Sequence, residues 1–212
     1  SVSCIYIGGG TPTVLDCEQL ECLLSTVSEC TDVSGLEEYT LEGGRPDTIT
    51  DEKLEIIKKY GVTRISVNPQ TLNDAVLEKI GRRHTAAEFT DAYKKVKASG
   101  IKCVNTDLIA GLDGDCIESF KDTVDRIIEL QPDNVTVHSF SVKNAAQIRS
   151  DDKGIYEKNG DAMESVEYSI SRLISCGYVP YYMYRQKNTV DNLENVGYAM
   201  PGTFGLYNVY MM

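Results

Sequence analysis

The chain has 212 residues carrying 21 basic and 32 acidic side chains, a formal charge of −11 at pH 7. That balance, with no clustered Lys/Arg run, excludes a phosphate-neutralising nucleic-acid surface; no stretch approaches the ~18 apolar residues of a membrane span, and no basic segment leads into an apolar one as a secretory signal does. Hydrophobic residues at 42% and charged residues at 25% are ordinary globular usage, so neither disorder nor a fibrous repeat fits, and the reading is one cytoplasmic domain with a sizeable core.

The seven cysteines are an odd number and fall inside apparent strands and helices, so they read as reduced, mostly buried thiols rather than a disulfide framework. The chain enters an apolar strand at Ser3-Cys4-Ile5 with no initiator Met and stops at Tyr210-Met211-Met212 with no turn or cap. Both ends read as cut, which makes residues 1–212 a single core piece excised from a longer protein.

Short β-branched runs alternate with amphipathic segments, the pattern of βα units on a parallel sheet. The first strand spans about Ser3 to Ile7, followed by the loop Gly8-Gly9-Gly10-Thr11-Pro12-Thr13 and a helix from Asp16, its N-cap, to Glu29, with Leu20, Leu23, Leu24 and Val27 on one face. A second strand, Glu38 to Glu42, precedes a helix from Thr50 to Tyr60 that Gly61 stops, and Thr63 to Val67 is the third strand. Helical pieces at Asn73 to Ile80 and Ala86 to Ser99, the latter stopped by Gly100, lead to a fourth strand at Lys102 to Ile109. A helix from Glu118 to Leu130 and a strand from Asn134 to Phe140 follow; then a long polar stretch, Lys143 to Asn159, reads as a loop over the sheet. A helix at Asp161 to Cys176 and an aromatic strand, Tyr178 to Tyr184, complete about six parallel strands in an α/β fold, which an open doubly wound sheet or a full or partial barrel could hold.

In either arrangement the loops at the carboxyl ends of the strands build the ligand site. Here those ends carry the glycine loop, Glu42, Asn68-Pro69-Gln70, Asp107 and His138-Ser139. The glycine cluster serves equally as a plain turn or as a place where a ligand reaches backbone N–H and C=O groups, and it is neither G-x-G-x-x-G nor a P-loop. Asp107, inside Val104-Asn105-Thr106-Asp107-Leu108-Ile109, needs partners if ionised beside a buried strand. Arg82-Arg83-His84 reads equally as a helix C-terminal cap or an anion contact. Tyr181-Tyr182-Met183-Tyr184-Arg185 reads as strand packing ahead of an aromatic wall for a flat ligand. The cysteine spacings offer no metal ligand set.

Taken together these segments resemble the radical S-adenosylmethionine (SAM) superfamily, specifically its oxygen-independent coproporphyrinogen III oxidase (dehydrogenase) branch. Tyr6-Ile7-Gly8-Gly9-Gly10-Thr11-Pro12-Thr13 is similar to that branch's glycine motif, Thr40-Leu41-Glu42 to its second-strand glutamate, and Arg64-Ile65-Ser66-Val67-Asn68-Pro69-Gln70-Thr71-Leu72 to its R-[IL]-S-x-x-x-Q segment. Ile80-Gly81-Arg82-Arg83-His84 and Asn105-Thr106-Asp107-Leu108-Ile109-Ala110-Gly111-Leu112 match its R-x-H and N-x-D-L-I-x-G-L segments. Thr136-Val137-His138-Ser139, Tyr181 to Asn188 and Asn192 to Tyr198 resemble a coproporphyrinogen dehydrogenase-like subgroup.

The resemblance implies a partial (β/α)6 TIM-like barrel, truncated on its N-terminal side, with SAM across its top. By the family pattern Gly9, Gly10 and Thr11 would meet SAM through backbone and hydroxyl, Glu42, Gln70, Arg82 and Asp107 would take its polar groups, and the backbone around Ser141 would lie nearby. The family's [4Fe-4S] cluster sits on a Cys-x-x-x-Cys-x-x-Cys loop that is absent here and expected upstream, which would leave this piece inactive alone. The implied activity of the longer protein is reductive cleavage of SAM and radical decarboxylation of coproporphyrinogen III propionates to vinyl groups, giving protoporphyrinogen IX, with the electron donor open. A haem-binding chaperone of the same family, or a radical SAM enzyme with another substrate, are the alternatives.

Overall fold

The computed structural model describes residues 2–141, 160–186, 189 and 193–211. The long polar stretch from Lys143 to Asn159 lies outside the described residues, as do Lys187, Asn188 and Asn192 of the later motifs. Strands β1 (Cys4–Ile7), β2 (Glu38–Gly44), β3 (Arg64–Val67), β4 (Cys103–Ala110), β5 (Asn134–Ser139), β6 (Val179–Tyr184) and β7 (Asn195–Ala199) form one sheet in the order β1-β2-β3-β4-β5-β7-β6. Helices α1 (Cys17–Cys30), α2 (Asp51–Lys59), α3 (Asp74–Lys79), α4 (Ala86–Ser99), α5 (Ile117–Glu129), α6 (Gly160–Ser175) and α7 (Leu206–Met211) connect and follow them.

Local chemistry sets the helix ends where the sequence places them. Asp16 caps α1 by accepting from the Gln19 N–H at 2.8 Å while Gln19 returns the contact to the Asp16 N–H at 3.2 Å, a reciprocal capping box. Thr50 caps α2 and Thr85 caps α4, the latter again as a capping box, with Glu88.

Strands β1 to β5 are parallel, as expected, but the run of six parallel neighbours is interrupted. β7 inserts antiparallel between β5 and β6. Its sequence carries no strand period, and Gly197 stands where a Cβ would come within 1.7 Å of the Tyr182 ring; that glycine suits close approach and hides the strand.

Along β2 to β5 polar and apolar residues alternate, and the period of two puts them on opposite faces. Tyr39, Leu41, Ile65, Val67, Val104, Leu108, Val135 and Val137 point outward into a core shared with Leu20, Leu24, Phe89, Val96, Phe120 and Leu173 of the helices. The other face gathers Thr40, Ser66, Asn105, Asp107, Thr136 and His138 around a cavity. The sheet rolls into a half-barrel: α7 meets both edge strands, with Tyr207 stacked on Tyr6 of β1 at 4.4 Å and Asn208 donating to the Tyr181 hydroxyl of β6 at 3.1 Å.

The closed end is held by one buried ion pair. Arg64 Nε donates to Glu38 at 3.0 Å, the side chains being 8% and 5% exposed. The same guanidinium donates to Asn105 Oδ1 at 2.9 Å, to Asn134 Oδ1, and to the Thr203 carbonyl at 2.7 Å. Glu38 also accepts from the Thr40 hydroxyl at 3.1 Å and from the N–H groups of Leu206 and Tyr207 at 2.8 and 3.3 Å.

The cysteines depart from expectation. All seven are free, but Cys22, Cys30 and Cys116 are exposed and only Cys103 is fully buried, burial pushing its thiol up to about 12. On α1 the buried positions are Leu20 and Leu24; Cys22, two residues from each, falls on the opposite side of the helix. Among the described residues no helix is long and apolar enough to cross a membrane.

Replacing Arg64 by Met should strand the Glu38 carboxylate in the closed end and lower stability by about 3–5 kcal/mol. Urea unfolding of the two chains checks this, with a midpoint within error of wild type contradicting it.

Candidate functional site

The carboxyl ends of β1 to β4 meet above the cavity. After β1 the chain turns through Gly9 and Gly10 at φ +89° and +133°, conformations L side chains rarely adopt. The turn brings the Gly9 N–H onto the Glu42 carboxylate at the end of β2, which the Tyr6 hydroxyl also contacts. Thr11 follows the turn and packs its side chain against Gly44 of β2.

Asp107, on the inner face of β4, accepts from Asn68 Nδ2 at 2.8 Å and faces His138 Nε2 at 3.8 Å. His138 Nδ1 lies 3.2 Å from the Tyr184 hydroxyl. Burial first, and then the negative charge of Asp107, hold the Glu42 carboxyl above its ordinary pKa, against the opposing Gly9 and Tyr6 hydrogen bonds. The charge of Asp107 thus reaches Glu42, while the ring that faces Asp107 itself is His138.

Gln70 takes φ +68° and is 7% exposed, an αL conformation that a non-glycine residue holds only where its surroundings dictate it. Its backbone supplies the reason: its N–H donates to the Asp107 carbonyl at 3.1 Å and its carbonyl accepts from Ile109 N–H at 2.9 Å, stitching the end of β3 to β4.

Arg82 lies beyond α3, its N–H on the Leu77 carbonyl at 2.9 Å. Its side chain is half-buried and makes no ion pair or hydrogen bond among the described residues. Burial first, and then the nearby Arg45 charge, lower its pKa, while Asp47 and Asp107 pull the other way. The guanidinium therefore lies within the field of the charged groups Arg45, Asp47 and Asp107. His84 is a packing residue: it is buried, with Nε2 at 3.4 Å from the Pro69 carbonyl, and burial lowers its pKa.

Of the candidates, Gly9, Glu42 and Asp107 form one network, Gln70 joins it through its backbone, and Arg82 joins it through its field. Gly10 shapes the turn, and Ser141 continues from β5 in a bridge with Thr189. Tyr6 and Tyr184 also belong to this site. The tyrosine run reads as packing in the sequence; in the fold Tyr182 and Tyr184 face the cavity. The signal for the inner residues was the polar alternation Thr40/Glu42, Arg64/Ser66/Asn68, Asn105/Asp107 and Thr136/His138.

Residues 1–127 match the family model described as Radical SAM superfamily. The chain belongs to the radical SAM superfamily. It is 41% identical along its whole length to the oxygen-independent coproporphyrinogen-III oxidase-like protein HemZ of Bacillus subtilis, of which it spans 42%. It is 39% identical over 66% of its length to the heme chaperone HemW of Lactococcus lactis, spanning 37% of that protein. The chain therefore covers less than half the length of these curated relatives. Its fold is that of the radical SAM coproporphyrinogen III oxidase HemN of Escherichia coli, with a TM-score of 0.72 at 23% identity over 95% of this chain and 44% of that one.

The cofactors of this superfamily are SAM and a [4Fe-4S] cluster. The two fare differently in this chain. Among the described residues no group of three or more His, Cys, Asp or Glu side chains stands close enough to hold a metal, so these residues do not supply a cluster site. The rim, by contrast, has groups suited to a zwitterionic nucleoside. Glu42 and Asp107 face no Lys or Arg side chain within ion-pair distance, Arg82 has no acceptor and Asn68, with Nδ2 committed to Asp107, leaves its buried Oδ1 without a hydrogen-bond partner, all among the described residues.

A carboxyl group whose pKa is raised on folding adds stability below its ordinary pKa and loses it as pH rises through the folded value. Glu42→Gln, which keeps an acceptor for Gly9, should therefore raise the urea midpoint at pH 7, and the gain should vanish below about pH 4. Equal midpoints for variant and wild type at pH 7 would refute the electrostatic account of Glu42.

Proposed function

We propose that the protein carrying this chain is a radical SAM enzyme that oxidatively decarboxylates coproporphyrinogen III propionates to vinyl groups, giving protoporphyrinogen IX. The observation that carries the reading is the 41% identity to a coproporphyrinogen-III oxidase-like protein along the whole chain, together with a rim whose unmatched charges fit SAM. In this reading Arg82 takes the methionine carboxylate through a charge-assisted hydrogen bond. Glu42 and Asp107 accept from the ammonium and ribose hydroxyl donors, and Asn68 Oδ1 completes that set. Gly9, Gly10 and Thr11 let the nucleoside approach the backbone, Gln70 fixes the rim beneath it, and the Ser141 backbone borders it.

When bound, SAM together with a cluster held elsewhere in the protein would supply the radical chemistry that removes a hydrogen atom from the substrate, and loss of carbon dioxide from the resulting propionate radical would pass one electron to a one-electron acceptor. The residues of this chain bind and orient the cofactor; the half-barrel wall excludes water from it. A second reading, a haem chaperone, has its own support in the HemW relative at 39% identity.

Asp107→Ala and Arg82→Ala in the full-length protein should each weaken SAM binding tenfold or more, the loss expected for a hydrogen bond to a charged group, with the far-ultraviolet circular dichroism spectrum unchanged. Calorimetric titration with SAM measures it, and unchanged affinity in both variants removes the assignment. Anaerobic reconstitution with iron and sulfide, followed by assay of 5′-deoxyadenosine and of product from coproporphyrinogen III, separates the two readings. Both species together support the enzyme; haem binding with neither favours the chaperone.

A further inference from the structure

Beneath the rim, the inner face lines a cavity of about 150 Å³, with Arg64 and α7 at one end and Asp107 in its wall. We propose that this cavity is a subsite for a carboxylate arm of the substrate, of the propionate class, bound by uncharged hydrogen-bond donors on β3, β4 and β5. That the arm belongs to a tetrapyrrole rests on the proposed function, in either of its two forms, since coproporphyrinogen and haem both carry propionates.

A count of donors and acceptors gives the ligand's chemistry. Ser66 is 7% exposed and lines the cavity, and its Oγ is buried with no hydrogen-bond partner. An unmet buried hydroxyl carries a desolvation penalty, which an acceptor in the cavity removes. Asn105 spends Oδ1 on Arg64 Nη1 at 2.9 Å, and this fixes the amide so that its Nδ2 hydrogens are the groups left to offer. Thr136 Oγ1 and the Tyr182 hydroxyl are 3.0 Å apart; one hydrogen bond between them uses one of two hydroxyl hydrogens and leaves the other to donate. Burial first, and then the charge of Asp107, push the Tyr182 phenol far above its ordinary pKa, so it stays protonated.

The strongest acceptor in the wall is already occupied. The Glu38 carboxylate takes hydrogen bonds from Arg64, Thr40, Leu206 and Tyr207. The second carboxylate in the wall, Asp107, is engaged by Asn68 and faces His138, so around Ser66 and Asn105 donors outnumber free acceptors, and the group that matches them accepts several hydrogen bonds at once, as a carboxylate does. Position agrees with charge. The Arg64 guanidinium lies at the floor, whereas Asp107 stands two residues beyond Asn105 along β4, about 6–7 Å away, level with Thr136 in the strand register. Size selects an arm rather than a ring: pockets that enclose a whole drug-sized ligand run to roughly 300–1,000 Å³, against about 150 Å³ here.

The test titrates pyrrole-3-propionate, its methyl ester, and coproporphyrin III into the isotope-labelled chain and into Ser66→Ala and Asn105→Asp. The first variant deletes a hydroxyl with no protein partner, so its unfolding midpoint should not fall; the second keeps the acceptor for Arg64 and removes the free donors. The acid should shift the Ser66 and Asn105 amide resonances saturably, the ester should not, and each variant should bind the acid roughly tenfold more weakly. Equal binding of acid and ester, or unchanged affinity in both variants, overturns the subsite. Acid binding that depends on Ser66, with no binding of coproporphyrin III, keeps the subsite and rejects the tetrapyrrole; coproporphyrin III binding that ignores both variants does the reverse.

Discussion

The half-barrel depends on Arg64. Its guanidinium joins Glu38 on β2, Asn105 on β4, Asn134 on β5 and the Thr203 carbonyl before α7, so one side chain links four strands to the segment that closes the barrel. A buried cation is tolerable only when nearly every donor is used, and here the planar fork reaches acceptors that a lysine ammonium could not reach together. Glu38 completes the arrangement by accepting at the first turn of α7. The closed end is thereby saturated with hydrogen bonds, and unmet groups along the inner face lie from Ser66 upward, toward the open end.

This polarity separates stability from binding along a single strand. On β3, Arg64 belongs to the closed end, Ser66 two residues on has no protein partner, and Asn68 after a further two leaves its Oδ1 unmet at the rim. On β4 the same order runs through Asn105 and Asp107. The outer face, by contrast, is mostly apolar, with Thr106 and Ser139 as buried exceptions, and packs on the helices, so the core depends little on the inner face beyond the Arg64 cluster. The site can therefore carry mutually repelling carboxylates without loosening the helical layer.

Much of this was legible in the sequence where the determinant is local. Asp16, Thr50, Gly61 and Gly100 mark helix ends because caps and left-handed stops act within a few residues. Glu42, Gln70 and Asp107 stood out because parallel strands present their carboxyl ends together. What stayed hidden depends on pairing over long distances. β7 joins β5 and β6 through Asn195–Ala199, a stretch with a glycine at its centre and no alternation. Arg64 reads as the first residue of an ordinary strand, and only the fold reveals that Glu38 and Thr203 converge on it. Tyr182 and Tyr184 have the same spacing whether they pack or line a cavity; inward orientation follows from the strand's place beside β7.

The rim is also the part of the molecule that gains most from a ligand. Burial and the charge of Asp107 disfavour the ionised Glu42 carboxyl in the unliganded chain, and Arg82 adds a partly desolvated cation with no ion-pair or hydrogen-bond partner among the described residues. In the proposed reading each is a preformed half of an interaction whose other half is a zwitterion with donors on one end and a carboxylate on the other. A ligand that supplies both halves stabilises the folded state by RT ln(1 + [L]/Kd), and the larger the strain it relieves, the more of that energy appears as selectivity for a molecule bearing both charges rather than one. A plain nucleoside satisfies the carboxylates and leaves Arg82 bare, and a plain amino acid satisfies the charges and leaves the glycine turn empty. Only a molecule that joins the two answers the whole rim.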